Sequence, residues 1–199
     1  MDTSPERGID WWRPSPAQQR TTVTDLTSTV LIPGTYRLDP ARTTIELRAK
    51  HLFGLGRVTA HVRLRHGELV VAEPATASTA RATIDAASFS SGDATRDEHV
   101  RAPKFLDTAR FPDIVVELSS AAQEDGGWSA TGTLTAHGVT RPLRITAEQV
   151  TADGPDLVIR ATARVDRHAH GITAARGLAG RWTTLAITAH ATPAGPSAG

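Results

Sequence analysis

The 199-residue chain has no cysteine. Disulfides, thiolate nucleophiles and cysteine-based metal or iron–sulfur sites are therefore excluded. Aromatic residues are scarce, at four Trp, four Phe and one Tyr, so a core must be assembled mainly from aliphatic side chains, Ala and Thr. A domain of this size built from such small groups either packs very tightly or leaves space inside. No excess of charge exists either: 22 Lys and Arg face 21 Asp and Glu, which argues against a nucleic-acid binder working through a broad basic field. No run approaches the roughly 18 apolar residues of a membrane span. The first thirty residues lack the apolar core of roughly seven to fifteen residues that a secretory signal needs, and the expectation is a cytoplasmic protein. The length suits one domain with a full core.

What is present is period two. In "TTIELRAK", Ile45, Leu47 and Ala49 share one face and Glu46, Arg48 and Lys50 the other. Val58, Ala60, Val62 and Leu64 alternate with Thr59, His61, Arg63 and Arg65. The same rhythm runs through Ala80–Ala82–Ile84, Ile114–Val116–Leu118, Leu143–Ile145–Ala147, Leu157–Ile159–Ala161–Ala163–Val165 and Leu185–Ile187–Ala189. "RHGE", "EDGG", "AHGVTRP" and "ADGPD" supply the turns,. One apolar face, one charged face and short connections specify an antiparallel sheet. Eight or so such strands without intervening crossover helices imply a barrel or a sandwich, and closure removes exposed edges. Residues 1–30 are polar and Pro-interrupted and read as a flexible arm; residues 193–199 read as a loose tail. Trp11-Trp12 within the arm reads as a local contact tacking it to the domain, with a plug or membrane-surface anchor as the functional alternative.

One stretch breaks the rhythm. "TRDEHVRAPKFLDTARFP", residues 95–112, packs four basic side chains, three acids, one histidine and two phenylalanines into eighteen residues. Thr95 with Glu98 fits a capping box, and Pro103 disfavours helix at Ala102, so a helix of about two turns is expected from Arg96 to Arg101. Asp97, Glu98, His99 and Asp107 offer acid–base groups. Consecutive helical residues point about 100° apart, however, and do not converge on one atom. Structural pairing is the better reading: Asp97 with Arg101, and Asp107 with Arg96 or Arg101. His168 and His170 in "DRHAHGI" would share a strand face and could share a metal; no third ligand is evident, and polar strand residues are the simpler reading. No H-E-x-x-H, P-loop or G-x-G-x-x-G occurs. "LFGLGRV" reads as a tight turn between strands.

Two runs carry a resemblance. "RDEHVRAPKFLDTARFPDIVVE" and "GTLTAHGVTRPL" are similar to patterns of the YceI-like, polyisoprenoid-binding family, the second matching its Gly-x-Leu-Thr-x-x-Gly-Val-Thr-x-Pro signature. "GTYRLDPARTTIELRAKHL" and "VDRHAHGI" are weaker echoes in the same order, and together they span about residues 33–192. The resemblance implies an all-β, extended antiparallel lipocalin-like β-barrel over residues 31–192, with one short inserted helix. It further implies that the lumen binds a long-chain isoprenoid or related lipid, a quinone included, without catalysis, cofactor or metal. The chain departs from the family at Ala60 and Val62, where Gly and Phe are usual, and at His170, where Phe is common. Those losses would widen the lumen, and His170 would add a polar spot.

Strand parity then gives the expected lumen: Leu47, Val62, Ile84, Val116, Leu134, Ile145, Ile159, Val165 and Ile187, with Phe105 and Phe111 packing inward. Parity along Ala161, Ala163 and Val165 turns His170 outward. The resemblance places it over the barrel end, which needs a bulge or bend near Arg167; this second placement is adopted, with His170 as a ligand contact. Two other readings stay open. One is a small enzyme using Asp97, His99 or His170; the other is a protein-interaction adaptor working through the charged outer face. A homodimer also remains open, whereas no nucleic-acid partner is expected.

Overall fold

The structure, a computed structural model, describes residues 31–51, 56–124, 127–175 and 179–195. The expected arm, Trp11-Trp12, most of the "LFGLGRV" turn and the last four residues of the tail lie outside them. Among the described residues nine strands are formed: β1 (Gly34–Leu38), β2 (Thr44–His51), β3 (Gly56–Val71), β4 (Thr79–Ser90), β5 (Asp113–Glu124), β6 (Gly127–Ala136), β7 (Val139–Asp153), β8 (Asp156–Asp166) and β9 (Ala179–Pro193). One α-helix, α1 (Ala94–Arg101), is inserted between β4 and β5.

All pairings are antiparallel, and the sheet closes on itself through β3–β4. β1 and β2 lie end to end between β3 and β9: β1 pairs Arg37 with Glu68 and Thr192, and β2 pairs Ile45 with Val62 and Ile187. They are two halves of one barrel stave, interrupted at 39–43. Asp39 makes that break by accepting from the Ala41 backbone N–H at 2.8 Å, while its carbonyl accepts from Thr43 at 2.9 Å. With the two halves counted as one, the barrel has eight staves, and closure leaves no edge along them. The expected fold class is the one observed.

The alternation that shapes the inner wall does not run unbroken. β3 turns Val62 and Leu64 inward, then Leu69 and Val71, because Arg65 is an extra residue between the pairs Leu64–Ile84 and His66–Thr83. A bulge reverses which parity faces the core. Arg65 stays outside and bonds Asp85 and Asp113 at 3.1 and 3.2 Å. β5 behaves likewise at Ser119, so that Leu118 is followed inward by Ala121, and β7 at Glu148, so that Ala147 is followed by Val150.

Helix α1 begins two residues earlier than the sequence expectation. Its N-cap is Asp93, whose carboxylate accepts from the Arg96 backbone N–H at 3.0 Å; Thr95 and Glu98 do not form the box. The capping pattern needs only an Asx or Ser/Thr before the first turn, and two candidates stood two residues apart. Asp97 is 6% exposed, and Arg101, its expected ion-pair partner, contributes only a minor charge effect to it. Its Oδ1 accepts from the Ser91 backbone N–H and hydroxyl at 2.8 and 2.5 Å, tying the helix to the end of β4. Arg101 instead donates to the Phe89 carbonyl, and Arg96 donates to the Ser91 hydroxyl and lies 3.7 Å from Asp93. Neither guanidinium reaches Asp107. That residue has φ 48°, and its carbonyl accepts from Arg110 and Phe111, so it is a turn former rather than an ion-pair partner. Asp is among the few side chains that tolerate this region.

The hydrogen bonds from Ser91 hold the Asp97 carboxyl below the usual carboxylate range, against the opposing effect of burial. A carboxyl lowered on folding contributes stability at neutral pH that disappears as pH falls through its folded value. Asp97→Asn is therefore expected to lower the melting temperature at pH 7 and to flatten the loss of stability below about pH 4; thermal melts across pH check both. On the barrel wall, Ile159→Asp places an unpaired charge in an apolar space and is expected to cost about 3 kcal/mol or more. Arg160→Asp on the outer side should stay within about 0.5 kcal/mol of the parent. Denaturant titration of the pair tests the assigned register.

Candidate functional site

The barrel encloses a cavity of about 330 Å³. All nine strand residues expected to share an interior line it: Leu47, Val62, Ile84, Val116, Leu134, Ile145, Ile159, Val165 and Ile187. Along β8 the wall runs from Leu157 to Val165. At strand rise and barrel tilt that is about 20 Å of depth. The remaining wall is mostly Ala and Leu, with Trp128 the one large aromatic ring among its described residues. Alanines at 80, 82, 130, 147, 161 and 189 present only a methyl group inward. The few polar groups on the wall include Ser78, Ser129, Thr183, Arg167 and His170.

Several lining residues escaped the sequence reading. Leu69, Val71, Ala121 and Val150 lie beyond the bulges, where parity is inverted. Leu106, from the loop after α1, also lines the cavity, where Phe105 had been the expected neighbour. Phe105 instead lines a second hollow of about 610 Å³ beside the helix, together with Arg96 and His99. The two spaces adjoin, sharing Leu47, Val62, Leu106, Ile114, Arg167, Ile172 and Thr183 as walls. Phe111 lines neither, contrary to expectation. Its ring stands edge-on to His137 at a centroid distance of 5.0 Å and fills the place where a side chain at Gly138 would project.

That contact belongs to the closure of the helix end of the barrel. Residues 167–170 form a turn after β8, so His168 and His170 do not share a strand face, and the expected reach over the barrel end is made by this turn rather than by a bulge. Three bonds fasten the turn to the β6–β7 connection. Arg141 Nε donates to the Ala169 carbonyl at 2.9 Å, and His137 Nδ1 meets the His170 carbonyl at 3.3 Å. His170 Nδ1 meets the Val139 carbonyl at 2.9 Å. Gly138, at φ +72°, permits the tight β6–β7 turn,. From the other side, Arg167 donates to the carbonyls of Ile172, Ala174, Ala179 and Gly180 at 2.8 to 2.9 Å, drawing these four carbonyls to one guanidinium at this end. The "VDRHAHGI" and "GTLTAHGVTRPL" runs are thus the two halves of one cap.

His170 is 3% exposed and lies on the cavity wall. The three groups considered for catalysis fall in three places: His170 on the cavity, His99 on the second hollow, and Asp97 on neither, bonded to Ser91. Among the described residues no group of three His, Asp or Glu side chains is placed to hold a metal. No helix among them is long and apolar enough to cross a membrane.

Comparison with known proteins follows the same outline. A UPF0312 protein of Vibrio parahaemolyticus is 36% identical over 70 residues, covering 35% of this chain and 37% of that one. A UPF0312 protein of Yersinia pestis is 34% identical over 73 residues, 37% of this chain and 38% of its own. The matched part thus spans a little over a third of the length of these curated relatives. Among solved structures, Burkholderia cenocepacia BcnA superposes with a TM-score of 0.71 at 18% identity, over 78% of this chain and 99% of BcnA. A polyisoprenoid binding domain from Saccharophagus degradans superposes with a TM-score of 0.62 at 14% identity, over 82% and 100%. These two likenesses establish the fold. Residues 36–191, from β1 to β9, match the model of the YceI-like domain, and the chain belongs to that family.

Proposed function

We propose that this protein binds and carries, without catalysis, a long-chain isoprenoid or related lipid inside the barrel, the polar end of the lipid being a quinone-type or alcohol head. The observation that carries the reading is the cavity within the barrel, about 20 Å deep by strand geometry, with a wall of aliphatic side chains and alanine methyl groups. Such a wall offers a hydrocarbon chain burial at about 25 cal/mol per Å² of apolar surface and offers a polar substrate almost nothing. The Saccharophagus degradans neighbour, described as a polyisoprenoid binding domain, supports the ligand class. The non-catalytic part of the reading is supported by the separation of Asp97, His99 and His170 and by the commitment of Asp97 to Ser91.

Mass spectrometry of an organic extract of the native protein is expected to yield a long apolar lipid in near-stoichiometric amount. Ala161→Trp, which fills the lumen from β8, should remove that lipid while leaving the β-sheet circular dichroism signal in place. An extract without lipid, together with failure of the purified protein to take up a prenyl alcohol, would overturn the proposal.

A further inference from the structure

The His170 imidazole is committed on one side only. Its Nδ1 lies 2.9 Å from the Val139 carbonyl, an acceptor, so Nδ1 carries a proton and donates it,. In the neutral ring this fixes the tautomer and leaves Nε2 as a bare acceptor. No protein group among the described residues bonds Nε2, although the residue is 3% exposed and forms part of the cavity wall. The other strongly polar group at this end does not compete. Arg167 has four of its N–H donations spent on backbone carbonyls. Thr183, nearby on β9, carries a hydroxyl that both donates and accepts and so does not discriminate,.

We infer that His170 is a specificity site: the lumen takes lipids with the polar end at the helix end, and Nε2 selects head groups that donate a hydrogen bond over those that only accept. An alcohol, a phenol or the reduced, hydroxyl-bearing form of a quinone satisfies Nε2. An aldehyde, an ether or an oxidised quinone presents a lone pair to a lone pair. The apolar tail then runs toward Leu31, Val71 and Val150 at the opposite end. The bonds that clamp the turn also set the selectivity. His137 and Arg141 hold the turn's carbonyls, while Val139 holds the imidazole and dictates which nitrogen is bare. A phenylalanine at this position would offer no such choice.

The inference rests on the carrier reading above, and its test separates the two. Geranylgeraniol, its methyl ether and geranylgeranial have the same chain and differ in whether the head donates. Competition binding is expected to favour the alcohol over the other two by about fivefold, the worth of one hydrogen bond. In His170→Phe all three should bind within about twofold of one another, whereas Thr183→Val should keep the preference. Nitrogen NMR of the ring gives a readout independent of mutation: the proton should sit on Nδ1, and the Nε2 resonance should shift with the alcohol and not with the ether. Equal binding of the three lipids by the unmodified protein, or a proton found on Nε2, overturns the His170 assignment and leaves the carrier reading standing. Failure to bind any of the three overturns both.

Discussion

The constraint on which the rest depends is closure of the backbone hydrogen-bond ladder. Once β3 pairs with β4, and β1 and β2 together fill the place between β3 and β9, the circumference is set by strand number and stagger, not by the side chains inside. The wall cannot contract around whatever it encloses. A solid core would then need large side chains at each inward position, and this chain supplies alanine at many of them, with Trp128 as the one large aromatic ring among the described wall residues. The cavity is thus a consequence of two independent facts, a rigid perimeter and a composition poor in aromatics.

A rigid tube still has ends, and three of the charged residues that made the 95–112 stretch look reactive, Arg96, Asp97 and Arg101, are occupied there. Asp93, Arg96, Asp97 and Arg101 satisfy the ends of α1 and β4. Arg141 and Arg167 collect the carbonyls of irregular segments that have no ladder to join. A buried carbonyl without a partner is costly, and a guanidinium with several donors in one plane is an efficient way to satisfy a group of them. Density of charge in the sequence here coincides with density of irregular backbone.

That distinction explains what was legible. Period two revealed the strands, and it placed nine inward residues correctly, because alternation is a local property. It failed beyond Arg65, Ser119 and Glu148, since a bulge depends on the partner strand and leaves no mark in its own residues,. Phe111 carried the right chemistry but the wrong address. Its ring fills the space over Gly138, and only the fold brings those two segments together. The helix was readable, yet its cap was displaced because Asp93 and Thr95 both satisfy the same local rule. Asp107 and Arg96 looked like an ion pair only because they are close in sequence; backbone geometry at φ 48° claimed the aspartate instead.

His170 shows how a polar spot arises in a wall that otherwise has little to offer. Shape and apolar area supply affinity to any chain of suitable length, so the wall alone distinguishes poorly between lipids that differ at one end. Discrimination must come from polar atoms whose bonding is incomplete, and the cap consumes most of what it brings to the lumen. The guanidinium of Arg167 is largely spent, and the His170 backbone carbonyl is taken by His137. Among the described residues, what the cap leaves over on the cavity wall is an imidazole nitrogen of His170, oriented by a bond to Val139 at the tight β6–β7 turn that Gly138 permits. The closure of the barrel and the chemistry at its end are therefore one device: the bonds that shut the tube also determine which lone pair faces into it.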